Sequence, residues 1–174
     1  MSHYIAETEI QLLYADTDMM GVMYHGNYVK WLELGRIQLI EDIGFSYVEM
    51  EKSGFVAPIH NVNITYKMPI QYGDRAFVRT WVSKNTGIRV EYGFEIVNQN
   101  RDVCSEGTVT CIVGKKLPEG GFKPVNFKKT FPEFPYIKLI FGSAYIPIHS
   151  YHSIFQIAHN VAIYPAKLTV NRIK

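Results

Sequence analysis

One long helical pattern interrupts an otherwise strand-like chain, and it limits the fold more than any other feature of the sequence. From Asn27 onward, apolar residues recur at the three- and four-residue spacing of a helix. The stripe consists of Tyr28, Leu32, Gly35, Leu39 and Ile43, and it is widened by Val29, Trp31 and Ile40. Because so much of its circumference is apolar, we expect this helix to be buried on most sides.

Alternating polar and apolar residues predict strands on both sides of this helix. One such segment, 7–14, precedes the helix, and the later ones are 62–66, 76–84, 90–97 and 103–115, with a hairpin turn at 98–102. This order predicts an α+β fold in which a curled antiparallel sheet wraps around the helix. The open edges of such a sheet favour pairing between chains, so we expect at least a dimer.

Small and polar residues indicate where the helices begin and end. Asn27 is a candidate N-cap of the long helix, and Gly44 falls where a left-handed residue would end it. Ser46 and Glu49 then have the spacing of a capping box, which predicts a short second helix that ends near Gly54.

Length and charge exclude several classes of protein. The chain has 174 residues, enough for one domain with a single core. Its net charge of +2 is too small to indicate nucleic-acid binding. Its two cysteines, Cys104 and Cys111, are separated by an odd number of positions, which would send their side chains to opposite faces of a strand and prevent a disulfide. Without a signal-like start or a long apolar run, we expect a cytoplasmic protein with no membrane contact.

An acidic turn lies immediately before the long helix. The segment Asp16-Thr17-Asp18 follows the first strand pattern and places carboxylates near the helix N-terminus. The first N–H groups of a helix have no partner inside it, so we expect the backbone amides of residues 25–28 to stabilise a developing oxyanion. If a substrate carbonyl lies between the two, Asp18 can act as a base or as a nucleophile. This combination predicts hydrolysis of an acyl ester or thioester.

Further motifs accompany this turn through much of the chain. They are Asp16-Thr17-Asp18, Gly21-Val22, Tyr24-His25, Asn27-Tyr28, Glu33, Tyr66-Lys67-Met68-Pro69 and Gly73-Asp74. Together, over about residues 4–125, they resemble the hotdog-fold acyl-CoA thioesterases of the 4-hydroxybenzoyl-CoA thioesterase type. The resemblance implies a hotdog fold, dimers that usually pair into tetramers, and active sites at the dimer interface. It also implies an acyl-CoA or acyl-carrier thioester as substrate, with no metal and no organic cofactor.

The resemblance assigns roles to three residues. The catalytic aspartate corresponds to Asp18, and bacterial members with Tyr, Asp and His at the site match Tyr14, Asp18 and His25. His25 would orient water or the thiolate leaving group, or it would only cap or pack against the helix. Tyr14 would form a wall of the site or donate a hydrogen bond rather than act as a catalyst, because a phenol is ordinarily neutral near pH 7. The 4-hydroxybenzoyl branch has Tyr in place of His25, so we expect a short-chain acyl-CoA or a carrier-protein thioester instead.

Other charged residues have structural explanations as well as functional ones. Asp16 and Asp74 are expected to be turn formers, and Glu33 is expected to make a structural hydrogen bond rather than act as a second catalytic carboxylate. Candidates for contacts with CoA phosphates, or alternatively solvated strand ends, are Lys84, Arg89, Lys115 and Lys116.

Two other functions compete with hydrolysis. The first is a hotdog dehydratase acting on hydroxyacyl thioesters, although the motif lacks the His-first pattern usual for that chemistry. The second is a non-catalytic subunit that binds or scaffolds acyl thioesters, since a fold does not fix a function. The presence of Asp18 argues against this second alternative.

The last part of the chain differs in composition from the rest. We divide the sequence into a hotdog domain at 1–130 and an atypical tail at 131–174, which contains no acidic residue after Glu133. The tail has no counterpart in the family and is interpreted as passenger sequence from an altered reading frame, or as an extension that packs on the oligomer or on an anionic membrane surface. Its histidines, His149, His152 and His159, do not have the spacing of a compact metal site.

Overall fold

The computed structural model of the protein describes residues 4–42, 46–126 and 129. In chain order these residues form β1 (Ala6–Ile10), a 3₁₀ turn (Tyr14–Asp16), α1 (Asn27–Asp42), α2 (Tyr47–Lys52), β2 (Phe55–Val56), β3 (Ile59–Tyr66), β4 (Ala76–Asn85), β5 (Arg89–Asn98), β6 (Val103–Ile112), β7 (Gly114–Lys116) and β8 (Phe122–Pro124). The predicted tail, 131–174, and its three histidines lie outside the described residues.

An antiparallel sheet of five strands packs against α1. Its order is β1-β4-β5-β6-β3, so β1 and β3 are its two edges. This arrangement confirms the predicted α+β class, with a curled sheet and one long helix. The single strand predicted at 103–115 divides into β6 and β7, and β7 belongs to a second, three-stranded sheet of order β2-β7-β8. This sheet was not predicted, because strands of two or three residues are too short to show alternation.

The long helix is buried along one face only. Its buried positions recur at helical spacing and include Trp31, Leu32 and Leu39. Val29 and Leu34, on other faces, are 41% and 40% exposed. The prediction that α1 is buried on most sides is therefore wrong for the single chain, because one sheet covers only the side of the helix that faces it.

Close approach between α1 and β4 requires a glycine in the middle of the helix. A Cβ atom built on Gly35 would lie 2.4 Å from Thr80 Oγ1 and 2.9 Å from Val78 Cγ2. Thr80 and Val78 are themselves 2% and 0% exposed, so neither side chain has room to move away. Gly35 therefore sets the distance at which the helix packs on the sheet.

The ends of the helices follow the sequence prediction in part. Ser46 caps α2 as expected, its hydroxyl accepting a hydrogen bond from Glu49 N at 3.3 Å, and Gly54 follows the end of that helix. Asn27 is the first residue of α1, but its side chain donates to Asp16 O at 3.0 Å and accepts from Lys30 Nζ instead of capping. The predicted end of α1 at Gly44 lies outside the described residues.

Both cysteines lie in the main core with their thiols free. Cys104 and Cys111 are 1% and 0% exposed, and burial raises the pKa of each thiol. The absence of a disulfide between them agrees with the prediction, but the prediction that their side chains lie on opposite faces is wrong. A register irregularity where Val103 and Ser105 pair with β5 changes the alternation along β6, so both side chains reach the same core.

The described residues contain no helix long and apolar enough to cross a membrane.

Candidate active site

The acidic turn is built around Asp18. Asp18 N donates to Val22 O at 2.9 Å, and Gly21 N donates to Asp18 O at 3.0 Å, with Gly21 at φ +74°. One oxygen of the Asp18 carboxylate, Oδ1, accepts from Met20 N at 2.8 Å. In the described residues no hydrogen bond reaches the other oxygen, Oδ2. One oxygen of Asp18 thus holds the turn while the other is available for chemistry.

Main-chain hydrogen bonds fix this turn beside the start of α1. The carbonyl oxygen of Asp16 accepts from Tyr24 N at 2.8 Å and from Asn27 Nδ2 at 3.0 Å. The Asp16 carboxylate accepts from Leu13 N at 3.3 Å, which matches its predicted role as a turn former. A further bond from Met23 N to Ile70 O, 2.8 Å long, ties the same segment to the chain before β4. The segment 16–27 is consequently held from several directions.

Two backbone amides just before α1 have no hydrogen-bond partner among the described residues. Among the four amides predicted to form the oxyanion site, Asn27 N donates to Tyr24 O at 2.9 Å and Tyr28 N donates to His25 O at 3.3 Å. The amides of His25 and Gly26 make no hydrogen bond within the described part of the chain. Fewer amides than predicted are therefore available to stabilise an oxyanion, and both of them lie just before the helix.

Several aromatic rings cluster near the start of α1. The Tyr24 and His25 rings lie 4.3 Å apart between centroids, and the Tyr66 ring meets the rings of His25 and Tyr28 edge-on at 6.4 and 5.0 Å. The Tyr66 hydroxyl donates to His25 O at 3.0 Å. Burial raises the pKa of Tyr28 to about 12 and also raises that of Tyr66, so both phenols are protonated at neutral pH.

Tyr14 lies apart from this cluster. Its side chain is 74% exposed and packs edge-on against Tyr72, with ring centroids 5.6 Å apart. No hydrogen bond links Tyr14, Asp18 and His25 through their side chains in the described residues. The single chain thus places Asp18 and His25 on one connected segment through their backbones and leaves the Tyr14 ring at its margin.

Glu33 makes the structural contact expected for it. It forms an ion pair with Arg36, a residue only 3% exposed whose guanidinium also lies 5.1 Å from the centre of the Tyr47 ring. Both residues line a cavity of about 440 Å³ between α1, α2 and the start of β3. Pro58 and Ile59 also line this cavity. At 1.5 Å per residue, Glu33 lies roughly 9 Å along the helix from its first residue.

The four basic residues considered for CoA phosphates occupy different places. Lys116 lines the cavity, and the Lys115 ammonium lies 5.6 Å from the centre of the Phe55 ring. Lys84 and Arg89 are exposed near the turn that joins β4 to β5. Asp74 accepts a hydrogen bond from Gln71 N at 2.8 Å, which is the turn contact expected for it.

Comparison with known proteins identifies the family. Residues 12–130 match the Thioesterase-like superfamily. YneP of Bacillus subtilis, a protein named for acyl-CoA thioesterase activity, is 40% identical over 131 residues, which are 75% of this chain and 93% of YneP. These matches confirm the family predicted from the motifs.

Solved structures identify the fold. A DHNA-CoA thioesterase from Staphylococcus aureus matches with a TM-score of 0.69 at 35% identity, covering 92% of this chain and 97% of that one. The 4-hydroxybenzoyl-CoA thioesterase of Pseudomonas sp. strain CBS-3 matches with a TM-score of 0.66 at 14% identity, covering 74% of this chain and 97% of that one. The protein is therefore a hotdog-fold enzyme of the Thioesterase-like superfamily, and its class of reaction is thioester hydrolysis.

Proposed function

We propose that this protein hydrolyses acyl-CoA or acyl-carrier thioesters, with Asp18 as the reacting carboxylate and the amides of His25 and Gly26 as the oxyanion donors. The observation that carries the proposal is their arrangement on one segment. A carboxylate oxygen and two amides, all without a hydrogen-bond partner in the described part of the chain, are held together by the hydrogen bonds of Asp16 O. Such donors are most effective when fixed before the reaction begins.

The reaction can follow two routes from this arrangement. As a general base, Asp18 takes a proton from water while the water oxygen bonds to the carbonyl carbon, and the C–S bond then breaks. As a nucleophile, Asp18 displaces the thiolate and forms a mixed anhydride that water hydrolyses. In both routes negative charge develops on the carbonyl oxygen, where the two amides would stabilise it. His25, whose ring is exposed beside Tyr24, is proposed to deliver a proton to the departing thiolate.

The names of the relatives guide the choice of substrates. YneP is named for acyl-CoA, a chloroplast relative from Arabidopsis thaliana is named an acyl-acyl carrier protein thioesterase, and the Staphylococcus aureus structure is of a DHNA-CoA thioesterase. A short-chain acyl-CoA or a carrier-protein thioester is the substrate expected here, because His25 departs from the 4-hydroxybenzoyl pattern. The test is thiol release by the purified protein from short-chain, long-chain and aromatic acyl-CoA and from acyl-carrier protein. Absence of release from all of them would contradict the proposed function.

A dimer formed through β3 would complete the site. This edge strand has eight residues and is mostly exposed, whereas the other edge, β1, has five. In an antiparallel pair of identical strands, the beginning of one lies beside the end of the other. Ile59 lines the cavity, and in such a dimer it would lie near the far end of β3 in the other chain. That end of the strand carries Tyr66, which contacts the start of α1 in its own chain. An acyl group held at one chain's helix start could then extend into the cavity of its partner.

We expect a homodimer or homotetramer in solution. Light scattering coupled to size-exclusion chromatography should give a mass of at least twice the 20.0 kDa of one chain. The apolar residues exposed on α1, Val29 and Leu34, also favour a covering partner. A monomeric mass for a fully active preparation would contradict the proposal that the site is shared between chains.

A further inference from the structure

We infer that Tyr66 is a positioning residue that orients and polarises the Gly26 amide for oxyanion binding. This inference rests on the proposed function, in which that amide is one of two donors. The observation behind it is the hydrogen bond from the Tyr66 hydroxyl to the His25 carbonyl oxygen, 3.0 Å long, between residues 41 positions apart in the chain.

The geometry of the peptide bond connects Tyr66 to the amide. The carbonyl of His25 and the N–H of Gly26 belong to the same planar, trans peptide unit, so they point in opposite directions. A hydrogen bond that fixes the carbonyl therefore also fixes the direction of the N–H. The same bond withdraws electron density through the amide, which makes the N–H a stronger donor.

The Tyr66 hydroxyl has few alternative positions. The ring packs edge-on against Tyr28, 5.0 Å away between centroids, and Tyr28 belongs to the buried face of α1. The backbone after it is held as well, because Lys67 N and Met68 N both donate to Cys104 O, at 2.8 and 3.1 Å. Tyr66 is thus fixed both by its ring and by its main chain.

The His25 carbonyl has one other described hydrogen bond outside regular helix and strand pairing. That bond is weaker than the one from the Tyr66 hydroxyl. Tyr28 N donates to this carbonyl at 3.3 Å, a longer distance than that of the Tyr66 hydroxyl. A residue at Gly26 with a side chain would also disturb the unit, because its Cβ would lie 2.6 Å from the Tyr24 ring. The peptide between residues 25 and 26 is therefore held by Tyr66 on its carbonyl side, and a side chain at residue 26 would displace the exposed Tyr24 ring.

Substitution Tyr66→Phe tests the inference, with Tyr28→Phe as the matched control. Both changes remove one phenolic oxygen from the same aromatic cluster, but only the first removes the bond to His25 O. We expect kcat of Tyr66→Phe to fall about tenfold or more, since loss of a complete oxyanion donor costs about 10²- to 10³-fold. KM should stay within about twofold of that of the unmodified protein in both variants, and kcat of Tyr28→Phe should stay within about threefold.

A spectroscopic measurement separates this inference from the proposed activity. Labelling with ¹⁵N-glycine gives signals for the 13 glycines, and the Gly26 amide is assigned by its absence from Gly26→Ala. We expect that amide proton to move upfield in Tyr66→Phe and not in Tyr28→Phe. An unchanged Gly26 signal together with unchanged kcat would overturn the role of Tyr66 while leaving Asp18-dependent hydrolysis intact. If no variant hydrolyses thioesters, the proposed function fails and the shift alone decides whether Tyr66 orients the amide.

Discussion

Replacing Asp18 with asparagine is expected to lower kcat for thioester hydrolysis by about 10²- to 10⁴-fold, the range typical of a general base. The loss would be larger if the carboxylate acts as a nucleophile. An amide cannot accept the proton of water at neutral pH, and it is a poor nucleophile. Asparagine still has an Oδ1 acceptor, so the bond from Met20 N at 2.8 Å, and with it the turn, should be retained. Steady-state thiol release with saturating acyl-CoA measures the effect.

Asp16→Asn is the matched control for this experiment. Asp16 lies in the same turn, and its carboxylate accepts a hydrogen bond from Leu13 N, a role that asparagine can also fill. Its kcat should remain within a few-fold of that of the unmodified protein. Equal activity of Asp18→Asn and the unmodified protein would remove Asp18 from the mechanism. A large loss in Asp16→Asn alone would assign the reaction to the other carboxylate.

Replacing Gly35 with valine is expected to destabilise the fold by about 3 kcal/mol, at the upper end of the cost of overpacking a core. The new Cβ would lie 2.4 Å from Thr80 Oγ1, and valine adds two methyl groups beyond it. To relieve the clash α1 would have to move away from β4, which opens the core and shifts the start of the helix that carries the site. Urea unfolding followed by far-ultraviolet circular dichroism measures the change.

Leu34→Val provides the comparison for this substitution. It introduces the same branched side chain into the neighbouring position of α1, where Leu34 is 40% exposed, and should cost only about 0.5 kcal/mol. If Gly35→Val were no more destabilising than Leu34→Val, the close packing of α1 on β4 would not be a determinant of stability.

Much of the architecture could be predicted because local rules govern it. Alternation predicted β3 to β6, and the Ser46 hydroxyl caps α2 because that position and Glu49 are adjacent in space in any helix. Predictions failed where tertiary contacts decide the result. Val29 is exposed because, in the described part of the chain, the sheet covers one side of α1, and Cys104 joins the core because the register with β5 is irregular.

The candidate site could be predicted only in part for the same reason. The position of Asp18 beside the helix start follows from the motif, and the structure adds which oxygen is free. Which amides are free depends on turn hydrogen bonds that the sequence does not encode simply, such as that from Asn27 N to Tyr24 O. Tyr66 belonged to a recognised motif, but its contact with His25 joins distant segments and had no local signal.

The proposed mechanism requires the Asp18 carboxylate and the amides of His25 and Gly26 to face the same thioester carbonyl. A crystal structure of Asp18→Asn with intact acyl-CoA bound would show whether they do. We predict that the carbonyl oxygen lies within hydrogen-bonding distance of both amide nitrogens, with the residue 18 side chain next to the carbonyl carbon. A thioester bound elsewhere, with residue 18 turned away from it, would rule out this mechanism.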